Sequence, residues 1–276
     1  MSRPSENLRV NKHRILISND DGIDAEGLAL LERIARKFTD DVWVVAPDDE
    51  RSGISHAISL TVPLRMRKLG EKRYAVKGTP ADCILLALGE LMKDAPPTMV
   101  LSGINHGENL ADDMTYSGTA GVAIEAAIWG IPAIAISQAR HLGKLPNFAV
   151  AEHFCAPIVS KLLEATWKPG MVVNVNFPKI EPAQVTGVRV VSAGRRHARA
   201  FYPMESIDGR MVPLYWVKVN YEPGPVEPGT DLEAIQQNAI SITAMQIDMT
   251  SHQVNDELRA LFLEDRSILP VESVRS

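Results

Sequence analysis

The chain has 276 residues, 45% of them hydrophobic, which suits one large α/β core and excludes a disordered or low-complexity protein. Its 29 Lys and Arg against 34 Asp and Glu give a net charge of −5, with no single-sign block that would read as a nucleic-acid or membrane patch. No apolar run nears the roughly 18–20 residues that span a bilayer, so the expected partners are small molecules and copies of the chain itself.

The opening "MSRPSENLRVNKHR" is polar and has no signal-peptide core, so residues 1–12 are expected to form a loose tail on a cytoplasmic protein. An apolar run at 14–18 ("RILIS") stops at Asn19-Asp20-Asp21-Gly22, and a helical pattern follows over 25–37. A second run at 42–46 ("VWVVA") leads into "PDDERSGISH" with Ser52. In "KGTPADCILLAL", Thr79 reads as an N-cap and Pro80 as the first residue of a helix over 81–93. Then come "MVLS" at 99–102 running into "GINHGEN", a helix over 119–129, "AIAIS" at 133–137, a helix over 149–165 and "MVVNV" at 171–175.

These strand runs are continuous rather than alternating, as expected for strands buried on both faces of a parallel sheet. Strand and helix alternate, which predicts a Rossmann-like three-layer α/β/α sandwich over 13–185 whose ligands lie beyond the carboxyl ends of the strands. Cys83 and Cys155 fall in apolar helical patterns and read as buried free thiols.

Residues 186–276 depart from that pattern. "RAFYPMESIDGRMVPLYWVKVNY" reads as a protruding hairpin around Asp208-Gly209, too apolar to stand alone in water and so an expected oligomer contact. A capping box of Thr230 and Glu233 opens a helix. The strand "ISITAMQ" and an amphipathic helix over 256–264 end the pattern. The cluster Arg195, Arg196, His197 and Arg199 reads as a solvated charged face, with reach to a phosphate tail as its alternative.

A parallel sheet brings three polar clusters to one edge: Asp20 and Asp21, Ser52, and Asn105, all oxygen donors. Adjacent carboxylates repel by roughly 4 kcal/mol at about 4 Å in a partly screened site, and a hard divalent cation such as Mg²⁺, Mn²⁺ or Ca²⁺ offsets that repulsion. The plain alternative is a turn in which one aspartate caps the next helix. In "TYSGTAGVAIEAAIWG", Ser117, Gly118 and Thr119 open a helix whose N-terminal N–H groups suit a phosphate; the alternative is an ordinary cap. His56 and His106 flank these loops and are left outside the core site.

Together "ILISNDDGIDAEGL", "VVAPDDERSGISHAISL", "VKGTPADCILLAL", "LSGINHGEN", "YSGTAGVAIEA", "NVNFP" and "GTDLEAIQQNAISITAMQIDMT" resemble the SurE family of survival-protein E nucleotidases, in the family's order and over residues 14 to about 250. The resemblance implies a divalent-metal-dependent phosphomonoesterase of nucleoside 5′- and 3′-monophosphates, with some members also cleaving polyphosphate ends. It assigns one metal ion to Asp20, Asp21, Ser52 and Asn105, with Mg²⁺ or Mn²⁺ favoured, and phosphate binding to Ser117, Gly118 and Thr119. It also implies homodimers or homotetramers with C-terminal elements swapped between subunits. The chain departs from the family pattern at Ala111, where a glycine is usual, at Ala120, where a valine is usual, and in "SITAMQ" for Ser-x-Thr-Pro-Leu.

The expected chemistry is in-line attack of water on phosphorus, with Asp20 or Asp21 orienting or deprotonating it. An aspartate acting as covalent nucleophile is the rival mechanism. A non-catalytic nucleotide-binding sensor is the rival function, and neither a dinucleotide fingerprint nor a P-loop supports it.

Overall fold

The structure is a computed structural model that describes residues 13–141, 143–144, 147–196, 201–219 and 225–264. The expected tail at 1–12 and the candidate cations His197 and Arg199 lie outside the described residues.

Nine strands form one sheet in the order β3-β4-β2-β1-β5-β6-β7-β11-β8. They are β1 (Ile15–Ser18), β2 (Val42–Pro47), β3 (Arg65–Gly70), β4 (Arg73–Lys77), β5 (Met99–His106), β6 (Ala133–Gln138), β7 (Met171–Phe177), β8 (Val188–Val190) and β11 (Ile240–Gln246). Strands β4, β2, β1, β5, β6 and β7 run parallel, whereas β3 pairs antiparallel with β4 and β11 antiparallel with β7. Every residue of β1, and of β2 all but Trp43, is buried, as the continuous apolar runs require.

Helices α1 (Glu26–Ala35) and α4 (Ala149–Leu163) cover one face, with Leu28, Leu31, Ile34, Val150 and Ile158 packed on Ile15, Ile17 and Leu101. On the other face α2 (Pro80–Leu86) and α3 (Gly118–Ile128) pack Cys83, Ile84, Val122 and Ala126 against Leu16, Val45 and Val100. The result is the expected Rossmann-like α/β/α sandwich. Both cysteines are buried free thiols. No helix among the described residues is long and apolar enough to cross a membrane.

Several boundaries differ from the sequence reading. The run at 99–102 continues to His106 through a register shift between Ser102 and Asn105, which keeps Asn105 within the sheet. The helix expected over 81–93 becomes a π turn (Ala87–Leu91) after Leu86. Thr79 does cap α2: its side chain accepts from the Asp82 N–H at 3.0 Å, and Asp82 accepts from the Thr79 N–H at 2.9 Å. Thr230 caps α5 (Asp231–Gln236) by accepting from the Glu233 N–H, but the Glu233 carboxylate binds the Gly229 N–H rather than that of Thr230, so that box is half made. The last helix, α6 (His252–Glu264), begins earlier than expected.

Strands β9 (Phe201–Ile207) and β10 (Pro213–Val219) form the expected hairpin as a separate two-stranded sheet. Its connection is five residues, 208–212, rather than a tight Asp-Gly turn; the Asp208 carboxylate accepts from the Arg210 and Val212 N–H groups at 2.8 and 2.9 Å. From the segment after residue 185, β8 and β11 join the sheet of the core.

Candidate active site at the switch point of the sheet

Chain order reverses between β1 and β5, since β2 and β4 lie on one side of β1 and β6 and β7 on the other of β5. That opens a crevice at the carboxyl ends, where doubly wound sheets bind ligands. Asn19 fixes the loop after β1, its Nδ2 donating to the Gly22 carbonyl at 3.0 Å, while the Arg51 N–H donates to the Asp20 carbonyl at 2.7 Å and ties in the loop after β2.

The adjacent aspartates point to different partners. Asp20 is 4% exposed, and its Oδ1 accepts from the Thr119 hydroxyl at 2.5 Å. Asp21 accepts at Oδ2 from the His106 N–H at 3.1 Å, and its Oδ1 lies 3.6 Å from His106 Nδ1. Neither caps α1, whose N-cap is Ala25 without a side-chain bond, so the capping alternative fails.

Asp20 abuts the start of α3. A Cβ on Gly118 would lie 2.7 Å from the Asp20 Cβ and 2.9 Å from Oδ2, so glycine is what allows the carboxylate and helix terminus to meet. Ser117 Oγ caps α3 by accepting from the Ala120 N–H at 3.0 Å, which leaves its own proton to donate elsewhere. The Thr119 hydroxyl is spent on Asp20, so of the two hydroxyls only that of Ser117 is free to donate to an anion. One turn on, a Cβ at Gly121 would lie 2.6 Å from the Ser55 carbonyl, which seats the Ser52 loop on α3. That loop is further held by Ser55 N–H to the Tyr116 carbonyl at 2.9 Å and His56 to Glu125 at 2.7 Å.

Asp20, Ser52, Asn105 and Ser117 line one cavity of about 320 Å³. Asp21 instead borders an adjoining acidic cleft with Asp48, Asp49 and Glu50, and His106 lines both. Ser52 Oγ donates to Glu50 at 2.8 Å, while Asn105 Nδ2 donates to the Gly107 carbonyl at 2.9 Å and keeps its Oδ1 available as an acceptor. Gly118 and Thr119 lie beneath, buried against Asp20. Asn109 forms part of the floor: its carbonyl accepts from Asn174 and Asn176, and its Nδ2 donates to Ser137.

The cavity also takes in His106, Arg140, Lys179, Tyr116, Phe201 and Val219, none of which was placed in the site from sequence. Arg140 and Lys179 follow the ends of β6 and β7 by two residues each. The strand-end rule that selected Asp20, Ser52 and Asn105 would have found them if carried across the whole sheet. In the basic cluster, Arg196 forms a two-pronged pair with Asp113 and donates its N–H to Asp112, so it braces the cavity wall; Arg195 is exposed. Ala111 holds a left-handed φ of +51°, which is why glycine suits this position, and its N–H is secured by buried Asp231 at 2.8 Å.

Burial, and next the charge of Asp21, push the Asp20 carboxyl up to about 7. Burial pushes Asp21 up to about 6, against the His106 N–H, which favours its ionised form. His106 is lowered, first by burial and then by Arg140. Among the described residues, neither aspartate is ion-paired with Lys or Arg, and no three His, Cys, Asp or Glu side chains gather as a metal site. The available donors, two carboxylates, an amide oxygen and a hydroxyl, are all oxygen and fit a hard divalent cation.

Fold and site define a Rossmann-like α/β protein with a carboxylate-lined cleft beside a helix N-terminus at its switch point. The family model described as Survival protein SurE matches residues 15–200, and the chain belongs to the SurE family. It is 46% identical over 254 residues to the 5′-nucleotidase SurE of Parvibaculum lavamentivorans, covering 90% of this chain and 92% of the relative. It is 47% identical over 252 residues to the 5′-nucleotidase SurE of Rhizorhabdus wittichii, covering 90% and 99%. The crystal structure of the SurE protein from Aquifex aeolicus superposes with a TM-score of 0.78 at 35% identity, covering 90% of this chain and 99% of that one.

Proposed function

We propose that this chain hydrolyses nucleoside 5′-monophosphates to nucleoside and phosphate, with one divalent cation, Mg²⁺ or Mn²⁺, held by Asp20, Asp21, Ser52 and Asn105. The observation that carries this reading is the junction of Asp20 with α3: a buried carboxylate that, among the described residues, has no basic partner touches a helix start suited to an anion. These oxygen donors would hold a hard divalent cation, which when bound would supply positive charge that polarises phosphate oxygens and acidifies water.

The chain's own groups supply the rest. Ser117 donates its free hydroxyl proton, and the N-terminal N–H groups of α3 point to the same phosphate oxygens. Arg140 and Lys179 offset the charge of the dianion. Asp20 lines the cavity and Asp21 does not, so Asp20 takes the proton of the incoming water, while Asp21, oriented by the His106 N–H, serves to hold the cation. Water oxygen bonds to phosphorus as the ester P–O bond breaks, the departing oxygen takes a proton from solvent so that the nucleoside leaves as its alcohol, and Asp20 returns to solvent the proton it accepted.

Nucleoside 3′-monophosphates and polyphosphate ends are proposed as further substrates, because Arg140 and Lys179 continue into a second cleft lined by His141 and Lys144. A homodimer or homotetramer is proposed from the exposed apolar hairpin and the α6 stripe, with C-terminal elements exchanged between subunits, and the cytoplasm as compartment from the two buried reduced thiols. The test is phosphate release from AMP with Mg²⁺ or Mn²⁺, with and without chelator, for the wild type and Asp21→Asn. Loss with chelator and in the variant is expected, and equal release in all four conditions would defeat the proposal.

A further inference from the structure

The cavity has an aromatic side that phosphate chemistry does not use. Tyr116 directly precedes the N-cap Ser117, yet its side chain lies at the surface, 49% exposed. Its ring centroid is 4.6 Å from that of Phe201, with the planes inclined at 55°. Phe201 begins β9 and is paired with Val219 at the end of β10. All three line the same cavity as Asp20, Asn105 and Ser117. The root of the hairpin is therefore a wall of the site, and Tyr116 adjoins the Ser117 turn in sequence while Phe201 reaches it from β9.

The backbone of Tyr116 is fixed although its ring is open to solvent. Its carbonyl accepts from the Ser55 N–H at 2.9 Å and its N–H donates to the Asp113 carbonyl at 3.0 Å. An exposed aromatic pair lining a polar pocket gains from being covered, and the fixed backbone of Tyr116 lets its ring offer a flat face at low entropic cost. Ser117, the proposed phosphate anchor, lines the same cavity as these rings. Nucleobases stack on such rings with little regard to identity, since every base has a π face.

We propose that Tyr116 and Phe201 form the platform on which the nucleobase stacks, so that the hairpin root selects nucleotides over phosphomonoesters that lack a base. This rests on the nucleotidase reading and assigns the nucleoside end of that same site. The platform favours purines over pyrimidines through larger stacking area, and it ties substrate choice to the element that also carries the exposed apolar arm.

The experiment compares kcat/KM for AMP, CMP and ribose 5-phosphate in the full chain with Mn²⁺, for the wild type, Tyr116→Ala, Phe201→Ala, Tyr116→Phe and Phe201→Tyr. The ratio of AMP to ribose 5-phosphate should fall about ten- to a hundredfold in each alanine variant, mainly through KM. The conservative ring exchanges should restore it. Equal losses for AMP and ribose 5-phosphate, or an unchanged ratio, would overturn the proposal, the first by making the rings merely structural. If the wild type releases phosphate from nothing, the nucleotidase reading fails separately. Calorimetric binding of adenosine then decides the stacking, and equal affinity in wild type and Tyr116→Ala overturns it.

Discussion

The strand-end cavity and the β9–β10 hairpin invert the ordinary placing of polar and apolar groups in opposite senses. In the cavity, Asp20, Thr119, Asn109 and Ser117 are all buried, held by hydrogen bonds from three loops. On the hairpin, Tyr215, Trp216 and Val217 are 65%, 57% and 72% exposed, and among the described residues β9 and β10 form a two-stranded sheet of their own. Helix α6 repeats the second pattern, with Val254, Leu258, Leu261 and Phe262 exposed at helical spacing. Buried carboxylates suit a cation and exposed rings suit a covering surface, so the two regions carry the proposed cation site and the proposed assembly contact respectively.

Removing one carboxylate should break the comparison most severely. Asp20→Asn is expected to lower phosphate release by about 10²–10⁴-fold, read as kcat. At pH 8 the same variant should melt a few degrees higher than the metal-free wild type, because it deletes a charge that burial disfavours. A drop in both activity and melting temperature would make Asp20 a structural residue. Gly118→Ala comes next. Its Cβ has no room beside Asp20, so a loss of about 1–3 kcal/mol in denaturant unfolding is expected, with phosphate release falling with it; unchanged values would mean that the helix start and the carboxylate need not touch.

The pH dependence sharpens the same point. In the metal-free folded chain Asp20 and Asp21 keep their protons up to about pH 7 and 6, against about 3.8 for an ordinary aspartate. The folded state thus binds more protons between those limits, and the contribution of this pair to stability falls as pH rises through that window. Melting of chelator-treated protein from pH 5 to 8 should show this decline, and Mn²⁺ should flatten it. A curve identical with and without Mn²⁺ would separate the carboxylates from the metal. The smallest effect is expected on the arm: Trp216→Ser should shift the species seen by sedimentation velocity to a smaller one while kcat changes less than about twofold. An unchanged sedimentation coefficient would remove the hairpin from assembly.

Sequence periodicity revealed the buried strands β1, β2, β5, β6 and β7 because each has both faces covered and needs apolar residues throughout. It did not reveal the inner strand β4, which has only Ala75 and Val76 buried, nor β3, whose six residues "RMRKLG" are all exposed at the sheet edge, nor β8, three residues long with only Arg189 partly buried. Edge strands carry no burial pattern to read. The oxygen donors were legible because they follow such runs directly. The parting of Asp20 and Asp21 was not, since it depends on Thr119 and His106 approaching from distant segments. Tyr116 and Phe201 meet across 85 residues, and nothing local announces that contact.

The central claim is that Asp20 and Asp21 hold a cation beside the α3 start. Titration of metal-free protein with Mn²⁺, followed by calorimetry in the presence and absence of inorganic phosphate, tests it most directly. One Mn²⁺ per chain is expected, bound more tightly with phosphate present and lost in both Asp20→Asn and Asp21→Asn. Equal Mn²⁺ binding in the wild type and both variants would contradict the account.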